Sequence, residues 1–558
     1  MAGALAAAVL VAIPLLGSAY ALQFATDILT FTALAYGWNL ISGFTGYLSF
    51  GQVSFYGLGA YTVGLLVRDT AIPWPLAVCI AGLVGAAAAA LLGPVMLRLR
   101  GILFALGMFG LARILAVAFS DFAYAGGGNG MTLPAELTPV AVYAFMAAIA
   151  FAGFAMTAWV ARSGFGLDAM ALREDEEAAS ALGVNTTRIK VIAYIASAVL
   201  PALAGGLVAW NRSYIDPPSA FDPTIDLQTV VFVLFGGIGT VWGPLLGSLV
   251  LMVIDEEFLV HFSGLALLLF GLVVIVTVLA FPGGLVSLAN RRGWFLRPVV
   301  LAPGSLPPGG PPETSLTAAS GPVLEVDNLM VRFGGLVAVD NVSFTVGRGE
   351  TVSIIGANGA GKTTLFNTIT GFVAPTAGDI RFLGQSVISL PAFRRAQLGM
   401  ARSFQIPRVM TALTVWENVV AAARHGRQSH RAITHAAWVI RTVGFAENWR
   451  DQVTRLSPGH QRLLEFARVL ALNPELVMLD EVMAGMTRDE QEDVRAVIRR
   501  LNGFGVSAVA CVEHVIAAIA DLSDRMIVLD FGRKIADGTP AEVLADPAVV
   551  HAYLGTPQ

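Results

Sequence analysis

The chain has 558 residues, of which 56% are hydrophobic and only 13% are charged, and its mean hydropathy is +0.70. An average soluble domain carries roughly 25% charged residues, so this composition excludes an ordinary soluble enzyme, a disordered chain and a fibrous chain. The net charge of −4, without any lysine- or arginine-rich run, argues against nucleic acid as a partner. The composition therefore indicates a membrane protein.

Residues 1–297 consist of apolar runs separated by short polar breaks. A membrane-spanning helix needs about 20 mostly apolar residues, so these runs predict a polytopic α-helical membrane domain with roughly eight to ten spans. The first run ends in Ala19-Tyr20-Ala21, which is similar to a signal-peptide cleavage site. It lacks a basic start and precedes further spans, so we interpret it as a first transmembrane helix. The candidate runs are residues 2–22, 25–41, 53–67, 76–97, 102–119, 140–161, 191–210, 228–256 and 265–281.

Two glycine-rich segments interrupt the apolar runs, one at residues 43–52 and one at residues 236–239. Arginine-rich loops mark the inner side of the membrane, whereas Asp216, Asp222 and Asp226 predict an outer loop. The chain must then reverse at the second glycine segment to return inside before the next arginine-rich loop. Broken apolar segments in both halves of a membrane domain are typical of transporters. The alternative is that these glycines only permit close helix packing.

Residues 298–322 are rich in proline, glycine and serine and carry almost no charge. Such a segment cannot bury enough apolar surface to fold, so we interpret it as a linker. In residues 323–558 charge is normal, and short apolar strands alternate with helical patterns. This alternation predicts an α/β domain.

The most specific motif fits the pattern G-x-x-x-x-G-K-[ST]; it follows a strand-like run at residues 351–355 and opens a helical pattern. Its glycines allow backbone N–H groups to surround phosphates at a helix N-terminus. We predict that Lys362 reaches the β- and γ-phosphates of ATP and that Thr363 ligates Mg²⁺. The predicted ATP-binding residues of this loop are Gly356, Ala357, Asn358, Gly359, Ala360, Gly361, Lys362, Thr363 and Thr364.

A second apolar strand pattern, from residue 476 onward, ends in two adjacent carboxylates, Asp480 and Glu481. The first carboxylate suits the Mg²⁺ shell, and the second suits a general base that polarises a water against the γ-phosphate. Two acidic residues that merely end a strand are the alternative, but that interpretation does not account for the phosphate loop upstream.

With these motifs in order, residues 323–555 resemble an ATPase domain of the ABC family. The resemblance implies an α/β P-loop NTPase fold, ATP and Mg²⁺ as cofactors, and head-to-tail pairing with a second ATPase domain. Pro458, His460 and Val482 depart from the family's usual pattern. The departures put in doubt the rate of ATP hydrolysis at the site that this chain's signature, at residues 456–461, would complete. The implied roles are adenine stacking by Phe333, Mg²⁺ sensing by Gln405, partner-ATP contact by the signature residues Ser457, Gly459 and His460, and γ-phosphate support by His514 beside the catalytic Glu481.

Residues 177–183 read Glu-Ala-Ala-Ser-Ala-Leu-Gly, which resembles the loop with which ABC importer permeases dock on their ATPases. The implied coupling residues are Glu177, Ala178, Ala179 and Gly183. More specifically, the first half resembles a branched-chain amino acid importer permease at residues 38–40, 46–62, 173–207 and 236–247. The second half is similar to the ATPase of the same system at residues 333–336 and 542–555.

The resemblance implies a natural fusion of two subunits that are normally separate chains. It implies a multi-pass protein of the bacterial inner (plasma) membrane, surrounded by lipid, with a cytoplasmic ATPase domain and branched-chain amino acids as its small-molecule substrates. The implied partners are a second permease, a second ATPase subunit and a periplasmic solute-binding protein. A urea or short-chain amide importer is the nearest alternative. A fused exporter and a membrane-anchored ATPase without transport are the other two.

Overall fold

The structure is a computed structural model that describes residues 18–134, 137–261, 283–290, 300–310, 321–405, 407–480, 508–512 and 522–554, with scattered positions within 265–279 and 492–520. The chain folds into two compact units. The first contains Met1–Arg173 and Thr187–Pro298, and the second contains Glu174–Thr186 and Val299–Gln558. A short segment from the middle of the predicted membrane domain therefore belongs to the unit that holds the predicted α/β domain.

Long apolar helices form most of the first unit. Within the described residues, four helices are long and apolar enough to cross a membrane: Trp74–Met96, Ile102–Asp121, Pro139–Arg162 and Thr186–Arg212. The predicted spans at residues 2–22 and 265–281 lie mostly outside the described residues. Up to residue 290 the described helices are α1 (Ala19–Trp38), α2 (Gln52–Asp69), α3 (Trp74–Met96), α4 (Ile102–Asp121), α5 (Pro139–Arg162), α6 (Gly164–Glu174), α7 (Glu176–Ala181), α8 (Thr186–Arg212), α9 (Pro217–Ala220), α10 (Pro223–Gly236), α11 (Gly243–His261) and α12 (Gly284–Asn290).

Both glycine-rich segments separate helices. Helix α1 continues into a π-helical turn, Asn39–Gly43, and residues 46–51 are not helical before α2 begins. Helix α10 ends at Gly236, and α11 begins seven residues later in a hairpin. A Cβ atom on Gly247 of α11 would lie only 1.8 Å from the carbonyl oxygen of Phe232. The two helices therefore approach each other with backbone in direct contact.

Asp226 does not lie in the outer loop where we expected it. Helix α10 starts before the apolar run because the Asp222 side chain accepts a hydrogen bond from Thr224 N–H and Pro223 takes the first helical position. Asp226 therefore falls in the first turn of the helix, where it is only 3% exposed. Its Oδ1 atom accepts a hydrogen bond from Val53 N–H over 2.9 Å, at the start of α2.

Two sheets form the framework of the second unit. A pair of strands in the first unit joins β1 (Met131–Thr132) and β2 (Tyr214–Ile215). The described strands of the second unit are β3 (Leu324–Phe333), β4 (Leu336–Val346), β5 (Glu350–Gly356), β6 (Ala377–Phe382), β7 (Gln385–Ser386), β8 (Met400–Arg402), β9 (Leu476–Asp480), β10 (Ala508–Val512), β11 (Arg525–Asp530) and β12 (Arg533–Gly538). The larger sheet has six of these strands, in the order β12-β11-β5-β10-β9-β8, and the smaller sheet has four, in the order β4-β3-β6-β7.

In the larger sheet, β8, β9, β10, β5 and β11 pair in parallel, and β12 is antiparallel to β11. The carboxyl ends of parallel strands share one edge of a sheet, where loops bind ligands. The helices that follow in this unit are α13 (Lys362–Ile369), α14 (Ala392–Leu398), α15 (Val415–Ala423), α16 (Ala432–Thr442), α17 (Pro458–Ala471), α18 (Pro540–Ala545) and α19 (Pro547–Leu554).

Residues 300–310 of the predicted linker are packed against the second unit rather than extended into solvent. Val300 N–H donates to Glu417 Oε1 over 3.0 Å. The guanidinium of Arg441 donates to the carbonyl oxygen of Leu306, and that of Arg450 donates to the carbonyl oxygen of Gly304. A proline-rich segment leaves its carbonyl groups without strand or helix partners, and arginine donors satisfy several of them here. Residues 311–320 lie outside the described part of the chain.

Candidate nucleotide-binding site

The phosphate loop connects β5 to α13 at the carboxyl edge of the larger sheet. The Lys362 side chain is buried, and its Nζ atom donates to the carbonyl oxygens of Gly356 and Ala357 over 2.6 and 3.1 Å. The ammonium is therefore held across the concave side of the loop. This is where a polyphosphate would meet both the lysine and the N-terminus of α13.

Glycine is required at two positions of this loop. The Gly361 backbone has a φ of +97°, and a Cβ atom there would lie 2.3 Å from the carbonyl oxygen of Ala338 in β4. A Cβ atom on Gly356 would lie 2.3 Å from the carbonyl oxygen of Leu529 in β11. The loop is thus enclosed between neighbouring strands, and only residues without a side chain fit at these two points.

Asp480, the first of the two predicted carboxylates, lies at the carboxyl edge of the larger sheet. Strand β10 stands between β5 and β9, and Val512 at its end is in register with Asp480 at the end of β9. Glu481 directly follows β9, and His514 follows β10 by two positions. Glu481 and His514 themselves lie outside the described residues.

Asp480 is buried and held from two sides. Its backbone N–H donates to Ser403 Oγ over 3.0 Å, and its Oδ2 atom lies 3.5 Å from Arg402 Nη2. Arg402 also donates through Nη1 to Asn367 Oδ1 and Thr370 Oγ1, at the far end of the phosphate-loop helix. Burial lowers the pKa of Arg402, and the Asp480 carboxylate partly opposes that effect. Arg402 therefore joins the predicted Mg²⁺ carboxylate to α13.

The predicted adenine-stacking residue, Phe333, and the predicted Mg²⁺-sensing residue, Gln405, are both exposed. Phe333 ends β3 with 52% of its surface exposed, and its strand pairs with β4, which touches the phosphate loop at Ala338. Its ring is therefore available to stack on a base. Gln405 is exposed and follows β8 by three residues, on the sheet edge that also carries Asp480.

The signature residues begin α17. Ser457 caps the helix by accepting a hydrogen bond from His460 N–H, and its hydroxyl also bonds to His460 Nδ1 over 2.8 Å. Pro458 takes the first helical position, where a missing N–H costs nothing, so this departure from the usual signature does not disturb the helix start. Ser457 and His460 are both exposed, whereas Gly459 is buried.

Residues 174–186, which we call the docking segment, contain the predicted coupling residues and belong to the second unit. Asp175 caps α7 by accepting a hydrogen bond from Ala178 N–H over 2.8 Å. Gly183 ends the segment's helical turn with a φ of +82°, the left-handed conformation that favours glycine. Ala178 and Ala179 are buried, and Glu177 is exposed. The segment is therefore a short helix with one apolar face and one acidic face.

Polar contacts fix this docking segment within the second unit. Arg408 Nη1 lies 2.8 Å from Glu177 Oε2 and 3.1 Å from Asp175 Oδ2. Thr411 donates from its backbone N–H and its hydroxyl to Glu174 Oε2. Burial alone would lower the pKa of Arg408, but the Glu177 and Asp175 carboxylates outweigh burial and raise it. The acidic face of the segment is thus paired with one arginine, and Glu174 accepts hydrogen bonds from Thr411.

Two buried charged residues of α17, Glu465 and Arg468, contact the backbone on either side of Gln405. Glu465 of α17 accepts a hydrogen bond from Phe404 N–H over 3.0 Å, and Arg468 of the same helix donates to the carbonyl oxygen of Arg408. Burial raises the pKa of Glu465 to about 7, against the opposing effect of Arg468. Burial lowers the pKa of Arg468 to about 10. The signature helix therefore touches both the Gln405 loop and the residue that holds the docking segment.

Both halves of the chain match known transport proteins. Residues 20–278 match the family described as the permease component of branched-chain amino acid transport systems. Residues 339–484 match the ABC transporter family, and residues 533–557 match the family described as branched-chain amino acid ATP-binding cassette transporter. The high-affinity branched-chain amino acid transport ATP-binding protein BraF of Pseudomonas aeruginosa is 38% identical over 252 residues, which are 42% of this chain and 99% of BraF. The chain belongs to the branched-chain amino acid ABC transporter family.

LivG of Escherichia coli strain K12, which carries the same description as BraF, is 37% identical over 252 residues and covers the same shares of the two chains. A crystal structure of a nucleotide-free ATP-binding cassette is 27% identical, covers 42% of this chain and 100% of its own, and has a TM-score of 0.39. This member of the family joins a permease region and an ATP-binding region in one polypeptide. It is a membrane protein that binds ATP and couples its hydrolysis to transport.

Sequence reasoning missed several residues of the site. Arg402, Ser403, Arg408, Glu465 and Arg468 support the predicted residues, but none of them belongs to a motif that spacing alone would identify. One signal was present for the pair in α17: an acidic and a basic residue three positions apart, within a helix that is otherwise mostly apolar over residues 463–472. Charged residues inside an apolar helical stretch indicate buried side chains that need polar partners.

Proposed function

We propose that this chain is the permease-and-ATPase half of a bacterial inner-membrane importer for branched-chain amino acids, with its ATPase domain in the cytoplasm. The observation that carries this proposal is the position of the docking segment. It lies inside the permease match at residues 20–278, yet it packs in the same unit as the phosphate loop. One polypeptide thus provides both the ATP site and the element through which the ATP site acts on a permease.

The geometry of the phosphate loop supports the roles proposed for the residues that bind ATP, and the motif order supports those proposed for Glu481 and His514. The loop from Gly356 to Thr364 cradles the phosphates, Lys362 neutralises the β- and γ-phosphates, and Phe333 stacks on adenine. Glu481 accepts a proton from the attacking water as its oxygen bonds to the γ-phosphorus and the bond to ADP breaks. His514 stabilises the charge that develops on the γ-phosphate.

Hard oxygen donors are suitably placed for Mg²⁺. Asp480 presents a buried carboxylate beside Arg402, with its backbone N–H bonded to Ser403, and Thr363 contributes a hydroxyl from the first turn of α13. Mg²⁺ prefers such oxygens together with water and substrate phosphates, so these residues fit the ion, with Gln405 as a further oxygen donor. The ion would neutralise charge on the phosphates, and Ser403 and Arg402 would orient the carboxylate that holds it.

The signature of this chain would complete a second ATP site, on a partner ATPase. Ser457, Gly459 and His460 stand at the exposed start of a 14-residue helix, where the N-terminal N–H groups favour an anion. A second ATPase subunit, a second permease and a periplasmic solute-binding protein are the proposed partners. ATP binding closes the ATPase pair, the docking segment carries the motion to the permease, and hydrolysis resets the cycle.

Uptake of labelled leucine and of labelled urea tests this function in cells that carry the chain with its native partners. A Glu481→Gln variant serves as the hydrolysis-deficient comparison. We expect leucine uptake in the wild type and its loss in the variant. Urea uptake that depends on Glu481 would contradict the substrate class. If neither compound enters in a Glu481-dependent way, the substrate assignment fails and only the ABC architecture remains.

A further inference from the structure

The two glycine-rich interruptions of the first unit meet at a single side chain. Asn39 is fully buried; its Nδ2 atom donates to the carbonyl oxygen of Thr240 over 3.0 Å, and its Oδ1 atom accepts from Gly239 N–H over 2.8 Å. The side-chain amide of Asn39 therefore makes the two hydrogen bonds, one donated and one accepted, that a neighbouring strand would make with the non-helical backbone of Gly239 and Thr240. Backbone that leaves its helical pattern inside a membrane protein needs such a partner.

The backbones of the two interruptions also touch directly. The Gly239 backbone has a φ of +73°, and a Cβ atom there would lie 2.8 Å from the carbonyl oxygen of Gly43. A Cβ atom on Gly43 would lie 2.9 Å from Gly239 N. Asn39 and Gly43 are the two ends of the π-helical turn that follows α1. We call this meeting of Asn39, Gly43, Gly239 and Thr240 the glycine junction.

Arg173 joins the glycine junction from a third element. Its Nη1 atom donates to the carbonyl oxygen of Gly43 over 2.7 Å. A Cβ atom on Gly239 would lie 2.6 Å from that same nitrogen, and a Cβ atom on Gly46 would lie 3.1 Å from the Cγ atom of Arg173. The arginine therefore lies against both interruptions, and small residues leave the space for it.

Arg173 is also the last residue of the first unit before the docking segment. Glu174 is the first residue of the second unit, and it is also the last residue of helix α6, Gly164–Glu174, which contains Arg173. Glu174 in turn accepts two hydrogen bonds from Thr411. One peptide bond thus separates a residue fixed to the ATPase region from a residue bonded to the glycine junction. A continuous helix transmits rotation between adjacent residues because its backbone is rigid.

We propose that Arg173 is a positioning residue for transport, which transfers displacement of the docking segment to the glycine junction and so to the two interrupted segments of the permease. This inference rests on the proposed function, because it assumes that the docking segment moves with the ATP cycle. Arg173 contacts neither nucleotide nor substrate in this account. Its loss therefore uncouples hydrolysis from transport instead of stopping hydrolysis.

The test is the number of leucine molecules transported per ATP hydrolysed, measured in proteoliposomes that hold the complete complex. For Arg173→Gln we expect this ratio to fall about five-fold or more, which is the lower range of allosteric coupling, while ATP hydrolysis stays within about two-fold of wild type. Arg173→Lys keeps one donor for the Gly43 carbonyl and should recover part of the ratio. Arg162→Gln, an exposed arginine at the end of α5, is the matched control and should keep the wild-type ratio.

Gly239→Ala provides a second variant that disturbs the glycine junction with Arg173 still present, since its methyl group would meet both the Arg173 guanidinium and the Gly43 carbonyl oxygen. We expect the same fall in the ratio. A wild-type ratio in Arg173→Gln or in Gly239→Ala overturns the proposal, and so does a parallel loss of hydrolysis and transport. A wild-type complex that hydrolyses ATP but moves no leucine is a different result, because it removes the proposed function itself.

Discussion

Arg408 and Glu177 form an ion pair, with 2.8 Å between Nη1 and Oε2, across 231 positions of sequence. Asp175 shares the same guanidinium nitrogen. The acidic face of the docking segment thus meets one arginine that follows the Gln405 loop. The arrangement predicts that the sign of these charges matters for coupling.

The charge pair can be tested by reversal and rescue. In Arg408→Glu, three carboxylates face one another, and we expect leucine uptake to fall about ten-fold because like charges at a contact cost on the order of 1–2 kcal/mol or more. Combining Arg408→Glu with Glu177→Arg restores an opposite pair and should recover most of the uptake. Arg381→Glu, an exposed arginine paired only with Asp379 among the ion pairs found in the described residues, is the control. Failure of the double variant to exceed the single variant would contradict a direct charge contact.

The phosphate loop predicts a strong effect from one methyl group. Gly361→Ala combines a left-handed backbone, which costs roughly 1–2 kcal/mol for a residue with a side chain, with a Cβ atom 2.3 Å from the Ala338 carbonyl oxygen. We expect the affinity for ATP to fall at least about ten-fold. Binding of a fluorescent ATP analogue to the purified chain measures this. Gly384→Ala is the comparison, since that glycine has a φ of +78° but nothing within 4 Å of the added Cβ atom. Equal losses of ATP affinity in the two variants would contradict a specific effect of the contact between Gly361 and Ala338.

We expect Ser403 to affect ATP hydrolysis through its hydrogen bond with Asp480, without itself contacting the nucleotide. Its Oγ atom accepts the buried Asp480 N–H over 3.0 Å, and leaving such a donor unpaired costs roughly 1–3 kcal/mol. In Ser403→Ala we expect the Mg²⁺ concentration for half-maximal hydrolysis to rise, with about ten-fold slower turnover at low Mg²⁺. Saturating Mg²⁺ should restore much of the rate. Ser429→Ala, at an exposed position, should behave as wild type. An unchanged Mg²⁺ dependence in Ser403→Ala would refute this role.

Glu465 predicts a pH dependence of stability. Burial raises its pKa from the usual 4.5 to about 7, so the folded chain holds a proton that the unfolded chain releases. Stability therefore falls as pH rises from about 4.5 through 7, by up to about 3 kcal/mol. Glu465→Gln keeps an acceptor for Phe404 N–H but has no proton to lose. We expect the unfolding midpoint of the full chain in detergent to fall over this pH range in the wild type and to stay flatter in the variant. Parallel pH profiles would contradict the assignment.

Local chemistry made the phosphate loop predictable. Its glycines, Lys362 and Thr363 stand within nine consecutive residues, and the flanking strand and helix follow from short-range patterns. The carboxylate at Asp480 was equally predictable from the sequence because it directly ends an apolar strand. These features need no knowledge of how distant parts of the chain pack.

Contacts between distant residues could not be read from the sequence. Asn39 and Gly239 are 200 positions apart, and nothing in either glycine segment specifies the other as its partner. The composition of residues 298–322 likewise predicted a linker, because composition carries no information on hydrogen-bond donors from distant side chains. The donors of Arg441 and Arg450 hold its first part against the second unit, and that outcome depends on tertiary packing.

The most direct test of the whole account measures transport and hydrolysis in one preparation. Proteoliposomes would contain the complete complex with its ATPase domains outward, the solute-binding protein and labelled leucine inside, and Mg²⁺ with ATP outside. We expect leucine to leave the lumen only when ATP is hydrolysed, and Glu481→Gln to abolish both processes together. Leucine release without ATP, or ATP hydrolysis that never moves leucine in the wild type, would contradict this expectation.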